Sequence, residues 1–225
     1  MNKKLFAVLI DPDKCEEAHL SEIFHSQQAE KFDWILVGGS ILESGSIENC
    51  IHSIRKFSYL PIVIFPGDPS QICAQADALL LLALVSGRNP EYLIGHHVNY
   101  ALELRKSQLE LISTAYLLIN TGTKTAVSTT TNTDGILAAN LELIKSTALA
   151  SEQLGYKCIY LEAGSGSSKP ISEKIISEVR ATVDIPIIVG GGLKNFSALK
   201  TAWNAGADMV VVGTALEQNP SAFDL

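Results

Sequence analysis

Ile187-Ile188-Val189-Gly190-Gly191-Gly192-Leu193 is a short apolar run that breaks into a string of glycines, and Val210-Val211-Val212-Gly213-Thr214-Ala215 repeats the arrangement further along the chain. Neither run alternates apolar with polar residues. Continuous apolarity suits a strand covered on both faces, as in a parallel sheet with helices packed against it. The same unit recurs upstream, with apolar runs at Leu5–Ile10, Trp34–Val37, Ile62–Phe65, Ala78–Val85, Ala115–Ile119 and Cys158–Leu161. Each is followed by a loop rich in Gly, Ser, Asp or Pro and then, in most cases, by an amphipathic stretch.

Parallel strands need crossovers, and helical spacing supplies them. Ser172 should start a helix that carries Ile175, Val179 and Val183 every four residues. Asp134 is expected to cap another with Leu137, Leu141, Ile144 and Ala148 on one face and Gly155 as its stop signal. His19 to Glu30 reads as a third, with Leu20, Ile23 and Phe24 together. The link from Phe65 to Ala78 contains Pro66, Gly67 and Pro69 and is too short for a full helix. Gly122–Thr133 reads as a polar loop without periodicity, and the tail after Thr214 leaves room only for a small final helix. The expected fold is α/β, a modified (β/α)₈ TIM barrel forming a single domain over residues 1–225. That length is slightly below the roughly 250 residues common for such barrels. A doubly wound open sheet is the alternative.

The composition narrows the function classes. At 47% hydrophobic and 18% charged residues, the chain can bury a large core and is not of the disordered type. A net charge of −7 with no basic run argues against a nucleic-acid partner, whose phosphates need clustered Lys and Arg. The longest strictly apolar run, Ala78–Val85, is far short of the roughly 20 residues of a membrane span. Lys3 and Lys4 lead into an apolar stretch that ends at Asp11 without a small-residue cleavage site, so a cytoplasmic protein is expected. Cys15, Cys50, Cys73 and Cys158 have no C-x-x-C spacing and read as buried apolar residues. His19, His25 and His52 show no ligand spacing, and His96 and His97 read as surface or capping residues.

In barrel enzymes the chemistry sits at the carboxyl ends of the strands, with phosphate often held after the last two. The glycines at 190–192 and Gly213 let backbone N–H groups approach an anion closely. Helices starting near Asn195 or Ala215 would add their positive ends. The sixth run continues as Tyr160-Leu161-Glu162-Ala163-Gly164-Ser165-Gly166-Ser167. There Glu162 points either into the barrel mouth or into the helix layer, and a carboxylate among apolar neighbours needs a partner. At the other side, Ile10-Asp11-Pro12-Asp13-Lys14 and Val37-Gly38-Gly39-Ser40 end the first two runs. Magnesium asks for one or two carboxylates plus substrate phosphate and water, which Asp11 with Ser40 satisfies; Asp13 reads as a helix cap. A sugar-phosphate isomerase or aldolase would explain the glycine loops equally well. It would not call for Asp11 and Ser40, and an aldolase needs a lysine inside a strand. A non-catalytic carrier would dispense with Asp11 and Glu162, yet both are present.

Taken in order and spacing, Asp11–Lys14, Val37–Ser40, Ser86-Gly87-Arg88-Asn89-Pro90-Glu91, Tyr160–Gly166 and Val189–Gly192 resemble the geranylgeranylglyceryl phosphate synthase family over nearly the whole chain. That resemblance implies a modified barrel joining sn-glycerol 1-phosphate to a polyprenyl diphosphate, giving an ether lipid precursor. It implies Mg²⁺ held by Asp11 and Ser40. It also implies glycerol phosphate held by Tyr160, Glu162, Ser165, Gly166, Gly191, Gly192, Gly213 and Thr214. Glu162 would take the proton of the acceptor hydroxyl. Tyr92–Tyr100, Phe65 and Pro66 are candidates for an apolar groove. A homo-oligomer and a transient contact with membrane are further expectations. Where some relatives place a lysine two residues before the metal-binding Asp, this chain has Leu9.

Overall fold

The computed structural model describes residues 3–39, 42–68, 71–122 and 125–223. Strands form where the sequence runs apolar: β1 Leu5–Ile10, β2 Trp34–Val37, β3 Ile62–Ile64, β4 Ala78–Leu84, β5 Glu110–Asn120, β7 Cys158–Glu162, β8 Ile187–Gly190 and β9 Met209–Val212. They pair in parallel in the order β4-β3-β2-β1-β9-β8-β7-β5, and a β4–β5 ladder closes the ring. The closed barrel, not the open sheet, is therefore the architecture. A two-residue strand β6, Ile136–Leu137, lies outside the ring against the end of β5.

Strand alternation separates two cores. Ala7, Leu36, Val63, Leu80, Tyr116, Leu118, Tyr160, Ile188 and Val211 fill the barrel interior. Their neighbours Val8, Ile35, Ile62, Leu79, Leu117, Ile159, Val189 and Val210 face outward into a second, larger core under the helices. Both faces of each strand are thus dry, which is why the runs do not alternate in polarity. The helices are α1 Glu17–His25, α2 Ile47–Ile54, α3 His96–Ser107, α4 Ala126–Thr130, α5 Leu141–Gln153, α6 Glu173–Arg180, α7 Phe196–Asn204 and α8 Thr214–Gln218. Ser172 caps α6 by accepting the Ile175 N–H, and Ile175, Ile176 and Val179 pack inward as their spacing requires. Among the described residues no helix is long and apolar enough to cross a membrane.

Several expectations need correction. Asn140, not Asp134, caps α5, because its side chain reaches the Leu143 N–H; Leu137 belongs to β6 and is largely exposed. His19–Glu30 is not one helix: α1 stops at His25 and a 3₁₀ stretch, Gln27–Lys31, follows. Ser26 ends α1 in an extended conformation, its hydroxyl bonding back to the Ile23 carbonyl at 2.7 Å. The stretch between Gly122 and Thr133 contains α4, which Thr125 and Ser128 hold by a reciprocal capping box. The strand at Ala115–Ile119 begins five residues earlier, since Glu110–Thr114 pair with Ala78–Leu82. No α-helix links β3 to β4 among the described residues, as the prolines predict.

The chain end is strapped across the barrel by a buried side chain. Gln28 is fully buried; its amide donates to the Pro220 carbonyl, and its oxygen accepts the Phe223 N–H at 2.7 Å. Phe223 in turn packs edge-on against Phe6, 5.8 Å between centroids. Gln28→Ala leaves buried polar groups unpaired and should cost about 1–3 kcal/mol. A urea unfolding curve is expected to show a lower midpoint with unchanged slope; an unmoved midpoint would contradict the strap.

Candidate functional site

The residues expected to carry function gather at the carboxyl ends of the strands. Tyr160 and Glu162 share the parity of Cys158, so β7 turns them into the barrel rather than toward the helices. Glu162 is only 6% exposed, at the end of its strand between Leu118 and Gly190. Its Oε1 accepts the Gly164 N–H at 2.6 Å, and the Tyr160 hydroxyl lies near enough to favour the charged form of the same carboxyl. Burial pushes this carboxyl up to about 7, outweighing those two partners, which stabilise the charged form.

Glycines make room for this pair. A Cβ at Gly190 would lie 2.2 Å from the Tyr160 hydroxyl, and one at Gly191 would lie 2.4 Å from Glu162 Oε1. Gly191 also has φ +81°, a left-handed conformation that only glycine adopts without strain. Gly166 has open space where a Cβ would stand, leaving its backbone accessible. The Ser165 and Thr214 hydroxyls lie 3.3 Å apart across the cavity mouth. Among the described residues no side chain caps α8, which starts at Thr214, whereas the Asn195 side chain accepts the Ala198 N–H of α7.

On the β1 side, Asp11 accepts the Asp13 N–H at 3.1 Å and lies 3.4 Å from the Lys14 ammonium, which is 2.8 Å from Glu217. Glu217 chiefly holds the Lys14 amine above its ordinary range. A Cβ at Gly39 would come within 3.2 Å of Asp11 Oδ1, so β2 passes close to this carboxylate. Ser40, the second expected ligand, lies outside the described residues. Asp13 is not a helix cap. Its carboxylate accepts three backbone N–H groups, from Glu43, Ser44 and Gly45, and these bonds, led by that from Glu43, hold it below the usual carboxylate range. It pins the loop after β2 to the loop after β1.

Asp11, Tyr160, Glu162, Ser165, Gly166, Gly191, Gly192, Gly213 and Thr214 all line one polar cavity. Beside it runs an apolar groove. Leu80, Leu82, Tyr92, Tyr100 and Leu104 line it, with Phe65 and Pro66 as expected. His96 and His97 line it too, rather than lying free on the surface. His97 Nε2 is 2.9 Å from the Leu82 carbonyl, and His96 packs edge-on to Tyr92. The sequence reading missed Lys14, Lys194 and Glu217 in the polar cavity, and Tyr116 and Val127 between the two spaces. Strand parity was the available signal for Tyr116, which pairs in register with Tyr160.

In class, this is a closed parallel (β/α)₈ barrel whose glycine-lined mouth adjoins an apolar groove. The sequence signature of the PcrB family matches residues 1–224. Geranylgeranylglyceryl phosphate synthase of Flavobacterium johnsoniae is 49% identical over 222 residues, covering 99% of this chain and 91% of the relative. The enzyme of the same name from Korarchaeum cryptofilum is 35% identical, covering 98% and 91%. Among solved structures, (S)-3-O-geranylgeranylglyceryl phosphate synthase of Thermoplasma acidophilum, in complex with sn-glycerol-1-phosphate, superposes with a TM-score of 0.88 at 33% identity, covering 98% and 89%. The chain belongs to the PcrB family.

The burial of Glu162 has a consequence for stability. The folded protein keeps this proton up to about pH 7, whereas the unfolded chain releases it near 4.5. The native state therefore binds more protons in that window, and stability falls as pH rises through it. Relative to Glu162→Gln, the unsubstituted protein should lose up to about 3 kcal/mol across this range. Parallel urea-midpoint curves for the two proteins would contradict the assignment.

Proposed function

We propose that the protein is a prenyltransferase that forms an ether bond between sn-glycerol 1-phosphate and a polyprenyl diphosphate of geranylgeranyl length. It releases diphosphate and serves ether phospholipid biosynthesis. The observation that carries this reading is that two unlike spaces adjoin, with Phe65 and Tyr116 lining both. A polar cavity lined by Glu162, Ser165, Gly166, Gly191, Gly192, Gly213 and Thr214 adjoins an apolar groove along α3. A donor with a charged head and a hydrocarbon tail fits across both, each buried CH₂ contributing roughly 0.8 kcal/mol.

The phosphate of the acceptor is held by backbone N–H groups at Gly166, Gly191, Gly192 and Gly213 and by the Ser165 and Thr214 hydroxyls. Tyr160 and Glu162 orient its glycerol part. As the allylic C1–O bond to diphosphate breaks, its electron pair leaves with diphosphate. The acceptor oxygen then bonds to C1 and its proton passes to the Glu162 carboxylate. A carboxyl poised near 7 suits that task at neutral pH. The apolar groove keeps water from the allylic carbon, so the alcohol rather than water is the nucleophile.

Magnesium fits the remaining side of the cavity. Asp11 is a partly exposed carboxylate at a strand tip, close against Gly39. One carboxylate, with Ser40 as the second expected ligand, suits an ion that takes most of its ligands from diphosphate and water. Bound there, it would neutralise charge on the departing diphosphate. Lys14, held between Asp11 and Glu217, adds a second positive charge at the same place. The reading carries with it a cytoplasmic homo-oligomer that touches membrane transiently to exchange its lipid substrate and product. The exposed Ile94, Val98 and Leu102 beside the groove support such contacts.

The test is extraction of labelled lipid into organic solvent after incubation with magnesium, labelled glycerol 1-phosphate and geranylgeranyl diphosphate. Label in the organic phase is expected, and EDTA or Asp11→Asn should remove it. Glu162→Gln should lower turnover by roughly 10²–10⁴-fold while retaining glycerol phosphate binding by calorimetry. An organic phase without label, for donors of several lengths, would overturn the reading; full activity of Glu162→Gln would remove its role as base.

A further inference from the structure

Phe65 and Tyr116 line both the apolar groove and the polar cavity, and so stand where the two open into each other. With Tyr160 they form a three-ring cluster. Tyr116 stacks on Tyr160 at 5.3 Å and 28°, Phe65 lies tilted at 5.1 Å from Tyr160, and Phe65 and Tyr116 are 6.1 Å apart. Their positions follow from the barrel. Tyr116 and Tyr160 are register partners on β5 and β7 with side chains inward. Phe65 follows β3 with the inward parity of Val63. Gly190 leaves the room in which the Tyr160 hydroxyl sits, since a Cβ there would lie 2.2 Å from it.

A bipartite donor crossing this junction has its tail in the groove and its diphosphate in the polar cavity. The bond between them, the allylic C1, then lies at the junction itself, beside Phe65 and Tyr116. We propose that these two rings are catalytic residues that stabilise the positive charge developing over the allylic carbons as diphosphate departs. The inference rests on the transferase reading above and adds to it the identity of the groups that face the cation. The chemistry favours rings at this place. The face of an aromatic ring carries negative charge density and attracts a cation. It does so without presenting a nucleophile that could capture the allylic carbon, as a carboxylate would. Glu162 is placed to receive the acceptor's proton, while the rings spread the charge. Their stacking within the barrel also fixes them before the reaction, so no reorganisation is needed at the moment of bond breaking.

The experiment replaces Phe65 by phenylalanines carrying one, two and three ring fluorines, which keep its shape while draining the charge from its face. Single-turnover rates of prenyl transfer are measured at saturating substrates. The rate should fall stepwise with fluorine number, to roughly tenfold to thirtyfold below the unsubstituted protein for the trifluorinated ring, with KM for both substrates nearly unchanged. Tyr116→Phe should keep most of the single-turnover rate, and Tyr116→Leu should lose it. Rates that stay level across the fluorine series, in a protein whose unsubstituted form transfers prenyl groups, would overturn the role of the rings and leave the transferase reading intact. If the unsubstituted form transfers none, the transferase reading fails and takes this proposal with it.

Discussion

Placing a carboxyl inside a closed barrel is unfavourable unless its oxygens are bonded, and the mouth of this barrel is organised around that requirement. Glu162 sits among inward-facing apolar and aromatic side chains, 6% exposed, with the Gly164 N–H and the Tyr160 hydroxyl as partners. Those partners impose further constraints. The Tyr160 hydroxyl fits only because Gly190 has no side chain, and the carboxyl itself fits only because Gly191 has none. Gly164 turns its N–H inward at φ +99°, next to Thr125 at the start of α4. Gly190 and Gly191 thus leave space for the buried acid and its tyrosine.

The division of the barrel mouth follows from the same geometry. From the side of Glu162 toward β8 and β9 the lining is glycine and hydroxyl, suited to an anion. From the opposite side, over β4 and α3, it is leucine, tyrosine and histidine, suited to hydrocarbon. Asp13 stiffens the edge between β1 and β2 by holding three amides of the following loop. Asp11 itself accepts the Asp13 N–H of its own turn and pairs with Lys14. A rigid partition of this kind lets one molecule with unlike ends be held in a single orientation, which is the main positional demand of the proposed transfer.

Much of this was legible in the sequence, and the physical reasons are specific. The strands show as unbroken apolar runs because helices cover one face and the barrel interior the other. The glycine loops after β8 and β9 show because few other tasks put glycines after two consecutive buried strands. What stayed hidden depended on side-chain reach rather than pattern. Asn140 and Asp134 are equally good caps by type, and only the chain path through β6 decides between them. Asp13 looks like a cap because its partners lie some thirty residues away, across a loop. The capping box of Thr125 and Ser128 hides in a run of threonines with no apolar spacing. Phe65 and Tyr116 carry no motif, and their place between the two cavities arises only when β3, β5 and β7 are brought together around the ring.

The central claim is that the acceptor is held at Glu162 in the polar cavity while the donor crosses into the apolar groove past Phe65 and Tyr116. A crystal structure of the protein with glycerol 1-phosphate and an unreactive thio analogue of geranylgeranyl diphosphate measures this directly. The account predicts a glycerol hydroxyl within roughly 2.6–3.2 Å of the Glu162 carboxyl, the prenyl tail along α3, and C1 beside Phe65 and Tyr116. A tail lying outside the groove, or a glycerol phosphate with its hydroxyls turned away from Glu162, would contradict it.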